Sequence, residues 1–475
     1  MFKILIFFGW SIFVQASDYT VGFVPTSFPR DPLEVNQYDE HVILGQILEP
    51  LVDSDGNGRV VPSVAKEWHF HDQGKKLIFE IDSSIRFSNG KNVTAVDVVY
   101  SINRHITFQS QSKNFLNDIE EVKALSPNQV AISLKKGDVA ILKILSRDQL
   151  GIVPNGWVFN TTSESPFVGT GPYILRKINS DWYLEKNSHY TRAEINIKKW
   201  KLIFFKDANF GIPQILPDLA PDITKGILEQ IKLHPTFQDG AYEVSPKFGF
   251  TQTSFWIHPG SRIYKDAEKQ RLSQKFVNAI VDDYCKEIGA DRSTGMIPIG
   301  IQGSLSAPVA ISKYEKSKLL EKLKIAAPAG IFSDMLSAQR ISKIKEKYGV
   351  SIDVFFRSPG ELKKMQEWKP DVVAGSWAGG YNDPTGFLSL LTGLLGVNFE
   401  AYLGPIGKIL SQAEVEQSMQ KRTDLFRKLG IAVIEDGLLT PGWRVPSYEL
   451  RKKPLEAKEF QTRYTPRLIN FSVGK

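Results

Sequence analysis

Several groups of residues in this chain have types and spacings that could do chemistry. His69 and His71 alternate, so they share a face of an extended segment where two imidazoles could take a metal ion. Two surface histidines beside a turn explain the same pattern, and none of the seven histidines falls in a His-x-x-x-His spacing. Asp53-x-Asp55-x-Asn57-Gly58 begins like a calcium loop, but Val64 stands at the twelfth position, where a bidentate Glu is required. Glu120 and Glu121 are adjacent, so they point to different faces and do not converge as acid and base. Gly169-x-Gly171 is followed by Pro172 and no helix start, which fits a tight turn and not a phosphate cradle. No Gly-x-Ser-x-Gly elbow or Walker loop occurs. No catalytic residue, metal or cofactor is expected.

The remaining group suits binding. Trp377, Tyr381, Asn382 and Asp383 lie within seven residues of chain, directly after the apolar run 372–374. Such a run predicts a buried strand whose carboxyl end opens into a cleft. Trp377 and Tyr381 can wall that cleft, while Asn382 and Asp383 can hydrogen-bond a ligand. Asp383, followed by Pro384, equally suits the cap of a helix over 385–395. Trp157, Phe167 and Trp256 are further candidate aromatic walls, with core packing as the alternative role of each.

The element that organises the chain runs from 45 to 104. An apolar stretch (Ile47, Leu48, Leu51, Val52) ends in a turn at 53–58, and a short helical piece is expected around 65–68. After a turn at 72–74, Leu77, Phe79 and Ile81 mark one face of a strand. Thr94 and Asp97 form a capping box at the start of a helix, flanked by Val93 and Val98. Val96, Val99, Ile102 and Ile106 predict its buried face. The ordered motifs EPLV, VVPS, the FEI strand, RFSNGK and DVVYSINR resemble the family 5 extracellular solute-binding proteins, the oligopeptide and nickel-type receptors of bacterial ABC importers. The segment 371–384, with its Trp, Tyr and Asp-Pro, resembles a second marker of that family.

The resemblance implies an α/β, bilobal periplasmic-binding-protein type II fold with an extra N-terminal α/β domain and lobes joined by hinge strands. Lobe I is then 17–47, 168–250 and 438–475, the extra domain 48–167, and lobe II 251–437. In lobe II a helix over 332–348, stopped by Gly349, precedes a strand at 350–355, and 438–445 returns to lobe I. The implied function is capture of a peptide or peptide-like solute by hinge closure, and its delivery to an ABC permease in the inner membrane, by a monomer. In peptide-binding members an Asp three residues after the Trp pairs with the ligand's α-amino group. Here that position is Gly380. The same fold binding an oligosaccharide, an opine or a metal chelate, or serving a chemosensory receptor, is therefore kept open. A secreted hydrolase lacks a convergent nucleophile and base.

Residues 1–16 carry one Lys, an apolar core from Ile4 to Val14 and the small-residue site Val14-Gln15-Ala16. This pattern predicts a secretory signal peptide, with a soluble periplasmic mature chain beginning near Ser17. No Cys follows the site, so no lipid anchor is expected. The single Cys285 excludes an intramolecular disulfide and a thiolate zinc cluster. The 475 residues are too many for one core, and the net charge of +7 is spread along the chain without a nucleic-acid footprint.

Overall fold

The computed structural model describes residues 19–23, 30–35, 38–55, 59–108, 116–160, 162–204, 216–223, 225–247, 251–357, 367–377, 383–386, 388, 395, 398–416, 418–457 and 467–474. Three principal sheets organise them. The first has seven strands in the order Tyr242–Lys247, Ser447–Lys452, Leu219–Ile223, Tyr19–Phe23, Lys199–Phe204, Asp181–Lys186 and Tyr173–Ile178. Tyr19–Phe23 lies at its centre, parallel to both neighbours. A four-stranded antiparallel sheet is built from Ala65–His71, Lys76–Ile81, Gln129–Leu134 and Ile119–Ser126. The third sheet runs Ser351–Arg357, Lys322–Pro328, Val372–Trp377, Gln252–Ile257 and Leu439–Arg444. Each sheet has its own buried apolar cluster. Among the described residues, no helix is long and apolar enough to cross a membrane.

The small sheet shows how local sequence builds an element. Leu77, Phe79 and Ile81 are all buried on one face, as their alternation requires. Residues 65–68, expected to be helical, belong instead to the strand Ala65–His71. Trp68 and Phe70 alternate with Glu67, His69 and His71, and the two-residue period turns the aromatic pair toward the core. The strand folds back through Asp72, Gln73 and Gly74, all at positive φ. Helix Ala95–Thr107 opens on Thr94, whose backbone N–H and hydroxyl both donate to Asp97 Oδ2, at 2.8 and 2.7 Å. Its buried face is Ala95, Val98, Ser101, Ile102 and His105, while Val96 is exposed.

Gly169 and Gly171 pass the end of helix Tyr38–Ile47. A Cβ on Gly169 would sit 2.1 Å from the Ile47 carbonyl oxygen, and one on Gly171 2.6 Å from that of Gln46. Close backbone contact, sealed by the hydrogen bond from Gly171 N to Ile47 O at 2.8 Å, therefore demands glycine here, and neither residue has positive φ.

Two expectations for the third sheet change. Its helix spans Ala338–Tyr348, shorter than 332–348, because Phe332, Met335 and Leu336 fill the core from a turn before Ser337. Gly349 stops it at φ 74°, as expected. Leu439–Arg444, expected to return to the first lobe, pairs antiparallel with Gln252–Ile257 at the edge of the third sheet. Pro441 fits there because an edge strand need not donate on its outer side.

The chain crosses to the first sheet only after Arg444, and the crossing has a distinct form. Tyr242–Lys247 pairs with Ser447–Lys452 in the first sheet, and Gln252 pairs with Arg444 in the third. Val445 N donates to Thr251 O at 3.1 Å between them. The same two stretches of chain are thus paired antiparallel in both sheets, with 248–250 between them outside the described residues.

Candidate functional site

The third sheet positions the site. Ser351–Arg357, Lys322–Pro328 and Val372–Trp377 are parallel, so their carboxyl ends form one edge. The chain runs from the middle strand to Ser351–Arg357 on one side, then to Val372–Trp377 on the other. That reversal makes the carboxyl end of Lys322–Pro328 a topological switch point, the place where ligands enter open α/β sheets. Trp377 is the last residue of its strand and pairs through its backbone with Gln252. Gly380, Tyr381 and Asn382 lie outside the described residues.

Asp383 is placed in full. It is 1% exposed and its carboxylate is fully engaged. Oδ2 accepts from Arg422 Nη1 at 2.6 Å, and Oδ1 from Nη2 at 2.9 Å. Oδ1 also accepts from Thr385 N at 2.9 Å and from its hydroxyl at 2.7 Å, at the start of the helical turn 384–386. Burial works against the charge, but the Arg422 guanidinium and the Thr385 hydrogen bonds outweigh it and hold the carboxyl below its ordinary value. Expected among the ligand contacts, Asp383 instead caps a turn and ties it to helix Met419–Glu435.

Arg422 is 3% exposed; its Nε donates to Ala413 O at 3.1 Å, and its guanidinium lies 4.9 Å from the Phe426 ring centre. The sequence reading passed over it, although a signal was present. Arg422, Phe426, Leu429 and Val433 recur at i, i+4, i+7 and i+11, so a cation falls on the apolar stripe of its helix and requires a buried counter-ion.

The four-stranded sheet reaches this pair through residues 136–143. Lys136 Nζ lies 3.5 Å from Glu414 Oε2. Lys143 is buried, and burial pushes its ammonium down to about 8 against the opposing pull of Asp383 and Asp55. Burial likewise pushes Asp138 up to about 6. Beside this contact is an open cleft of about 1010 Å³, with Gln73, Lys75 and Gly137 on one wall and Gln412, Lys421 and Lys428 on the other.

The aromatic candidates separate into two places. Trp256 is buried in the third sheet, donates its indole N–H to Ser254 Oγ at 2.9 Å, and meets Phe399 edge-on at 5.6 Å. Phe167 is buried and stacks on Trp157 at 6.0 Å beside the first sheet. Trp157 is half-buried; the Arg104 guanidinium covers it at 5.1 Å, and its carbonyl accepts from Tyr100 Oη at 2.7 Å. The fold thus brings Trp157 and Phe167 together and leaves Trp256 in another core. His69 and His71 are exposed, and no group of three or more His, Cys, Asp or Glu able to hold a metal occurs among the described residues.

A buried charge cluster joins the small sheet's unit to the first sheet. Arg467 Nη2 donates to Asp148 Oδ1 at 2.9 Å and lies 3.7 Å from Asp53 Oδ2. Glu49 lies 3.1 Å from Arg192, yet burial pushes its carboxyl up to about 7.

Two sheet-based units linked by paired crossings have the bilobal architecture of periplasmic binding proteins. Residues 59–210 match the profile of the bacterial extracellular solute-binding proteins, family 5 middle region. In that region the chain is similar to the family 5 extracellular solute-binding proteins. It is 21% identical over 477 residues to the periplasmic murein peptide-binding protein MppA of Escherichia coli K12, covering 89% of this chain and 86% of that protein. It is 27% identical over 515 residues to the probable deoxycholate-binding periplasmic protein YgiS of the same organism, covering 92% and 93%. The crystal structure of NikA from Brucella suis in complex with Fe(III)-EDTA superposes with a TM-score of 0.77 at 14% identity, over 96% of this chain and 100% of that one.

Proposed function

We propose that this protein is the solute-capturing component of an ABC importer. It is exported to the periplasm, takes a peptide or peptide-like solute, and hands it as a monomer to a permease in the inner membrane. The observation that carries this reading is the pairing of the same two chain segments in both sheets, Tyr242–Lys247 with Ser447–Lys452 in the first and Gln252 with Arg444 in the third. Two adjacent crossings of a few residues confine the lobes to opening and closing about one axis. Solute contacting both lobes stabilises the closed form, and affinity follows from that difference. The division into lobes keeps 48–167 as the extra domain and extends lobe II through Arg444. The protein binds and releases its solute unchanged, without catalysis.

A second reading concerns the solute. Gly380 leaves the family's usual carboxylate position empty of charge, and Asp383 is committed to Arg422. Neither supports recognition of a free α-amine, so a blocked peptide or a non-peptide solute fits better. Trp377, Tyr381 and Asn382 remain the proposed contacts, with Asp383 as their positioning residue.

A thermal-shift screen tests both points. Peptides with free and with acetylated amino termini are compared with oligosaccharides, opines and metal chelates. A specific solute far above its Kd adds about 3 kcal/mol of stability. Equal stabilisation by acetylated peptides, or stabilisation by a non-peptide class, is the expected result. Stabilisation by free peptides alone would sink the second reading, and stabilisation by no class at all would sink the first.

A further inference from the structure

The unit of the four-stranded sheet is held to its two neighbours in unequal ways. Toward the first sheet the contacts are short and largely buried. Arg104 Nη2 donates to Asp31 Oδ2 at 2.6 Å, Gln149 Nε2 to Val35 O at 2.8 Å, and Arg467 Nη2 to Asp148 Oδ1 at 2.9 Å. Toward the third sheet the ion pair is Lys136 Nζ to Glu414 Oε2, 3.5 Å long, with both side chains partly exposed. Among the described residues no strand of the small sheet pairs with a strand of the third. This face can therefore part while the other holds.

Lys143 lies in the looser face. It is 4% exposed, and its Nζ is closed to solvent without a hydrogen-bond partner among the described residues. The charges around it are Asp383 and Arg422 of the opposite unit and Asp55 of its own. Both oxygens of Asp383 are already engaged by Arg422, so the ammonium gains no hydrogen bond there. Lys136, Asp138 and Glu414 complete the charged groups of the face. An ammonium enclosed without a partner is unfavourable for as long as the two units touch.

We propose that Lys143 is a positioning residue that holds the empty protein open, its ammonium opposing contact between the small sheet's unit and the third sheet's unit until a solute bridges the lobes. The assignment rests on the capture reading given above. Lys143 then sets affinity without touching the solute, because every solute has to overcome the same opposition on closure. The opposition depends on pH with a definite sign. Burial lowers the ammonium to about 8, against an ordinary value of 10.5. Contact is thus opposed in full below pH 8, and the opposition fades as pH rises from 8 toward 10.5. Asp138, pushed up by burial to about 6, titrates below that window. Lys136, whose burial is outweighed by the pull of Glu414 and Asp118, titrates above it.

The test needs no solute. Nitroxide labels on Lys75→Cys and Lys428→Cys, exposed on opposite walls of the cleft, report its width by pulsed dipolar spectroscopy, and the buried Cys285 stays unlabelled. The labelled mature protein is compared with the same protein carrying Lys143→Met or Lys143→Arg, each from pH 7 to pH 9.5. In the parent, the ratio of narrow to wide populations is expected to rise about tenfold or more over that range. Lys143→Met should be narrower than the parent at pH 7 and insensitive to pH. Lys143→Arg, which keeps its charge throughout, should stay wide at both ends. The parent's own pH response tests the proposal even where a variant melts too low to be used. A parent distribution that does not change with pH, or a Lys143→Met protein that matches the parent in width and pH response, overturns it. Either result leaves the capture reading standing on the thermal-shift screen, which does not depend on these labels.

Discussion

Arg422 and Arg357 are both arginines of the second lobe, and the fold treats them in opposite ways. Arg422 is enclosed, with two short hydrogen bonds to Asp383, one to Ala413 O and an aromatic ring beneath it. Arg357 ends its strand half-buried, its Nε excluded from solvent without a hydrogen-bond partner among the described residues. A charge neutralised within the chain fixes geometry, here that of the turn after the Trp377 segment. A half-buried charge that can still reach solvent needs no such partner and fixes no neighbouring element. The first is a structural device, and the second is not.

Substitutions separate the two cases. The largest effect is expected for Asp383→Ala, which strands a buried guanidinium and should lower stability by about 3–5 kcal/mol. Calorimetric melting measures it, and replacing both partners (Asp383→Ala with Arg422→Met) should recover a large part of the loss. A loss below about 1 kcal/mol would show that the pair is not the latch described.

Glu49 offers an intermediate case, a buried carboxylate with a cation nearby but insufficient compensation. Its folded pKa of about 7 lies above the ordinary value of 4.5. The stability it contributes is therefore complete below pH 4.5 and disappears as pH rises through 7. Glu49→Gln, which is neutral throughout, should gain on wild type by about 3 kcal/mol across that window and no further above it. Melting temperatures from pH 4 to 8 decide; a difference constant with pH would mean that Glu49 titrates normally.

Thr94→Ala should cost about 1 kcal/mol through loss of the capping box, at any pH and whether or not solute is present. It serves as the purely structural reference, and a dependence on solute would mean that helix Ala95–Thr107 takes part in closure. The smallest effect on the empty protein belongs to Arg357→Met, within about 0.5 kcal/mol of wild type or stabilising. A loss comparable to that of Asp383→Ala would remove the contrast between the two arginines.

What the sequence made legible follows from distance along the chain. The Leu77, Phe79 and Ile81 face, the Thr94–Asp97 box and the Gly349 stop are settled by residues a few positions apart, and all three stand. The side taken by Leu439–Arg444 depends on pairing with a strand about 190 residues earlier, which no local pattern specifies. Residues 65–68 misled because a short stretch with one aromatic fits a helix until Phe70 and the returning strand reveal its two-residue period. The strand Val372–Trp377 was legible from its apolar run, but the state of Asp383 was not. Its partner lies 39 residues on, visible only as a cation on an apolar stripe. Arg357 left no pattern at all, since only the fold shows that its Nε has no hydrogen-bond partner among the described residues.

The central claim is closure about the paired crossings, and small-angle scattering of the mature protein tests it most directly. Profiles are recorded with and without the solute that raises the melting temperature most. The account predicts a smaller radius of gyration with solute present, reversed on its removal. Saturating solute that leaves the scattering profile unchanged would contradict hinge closure as the mechanism of capture.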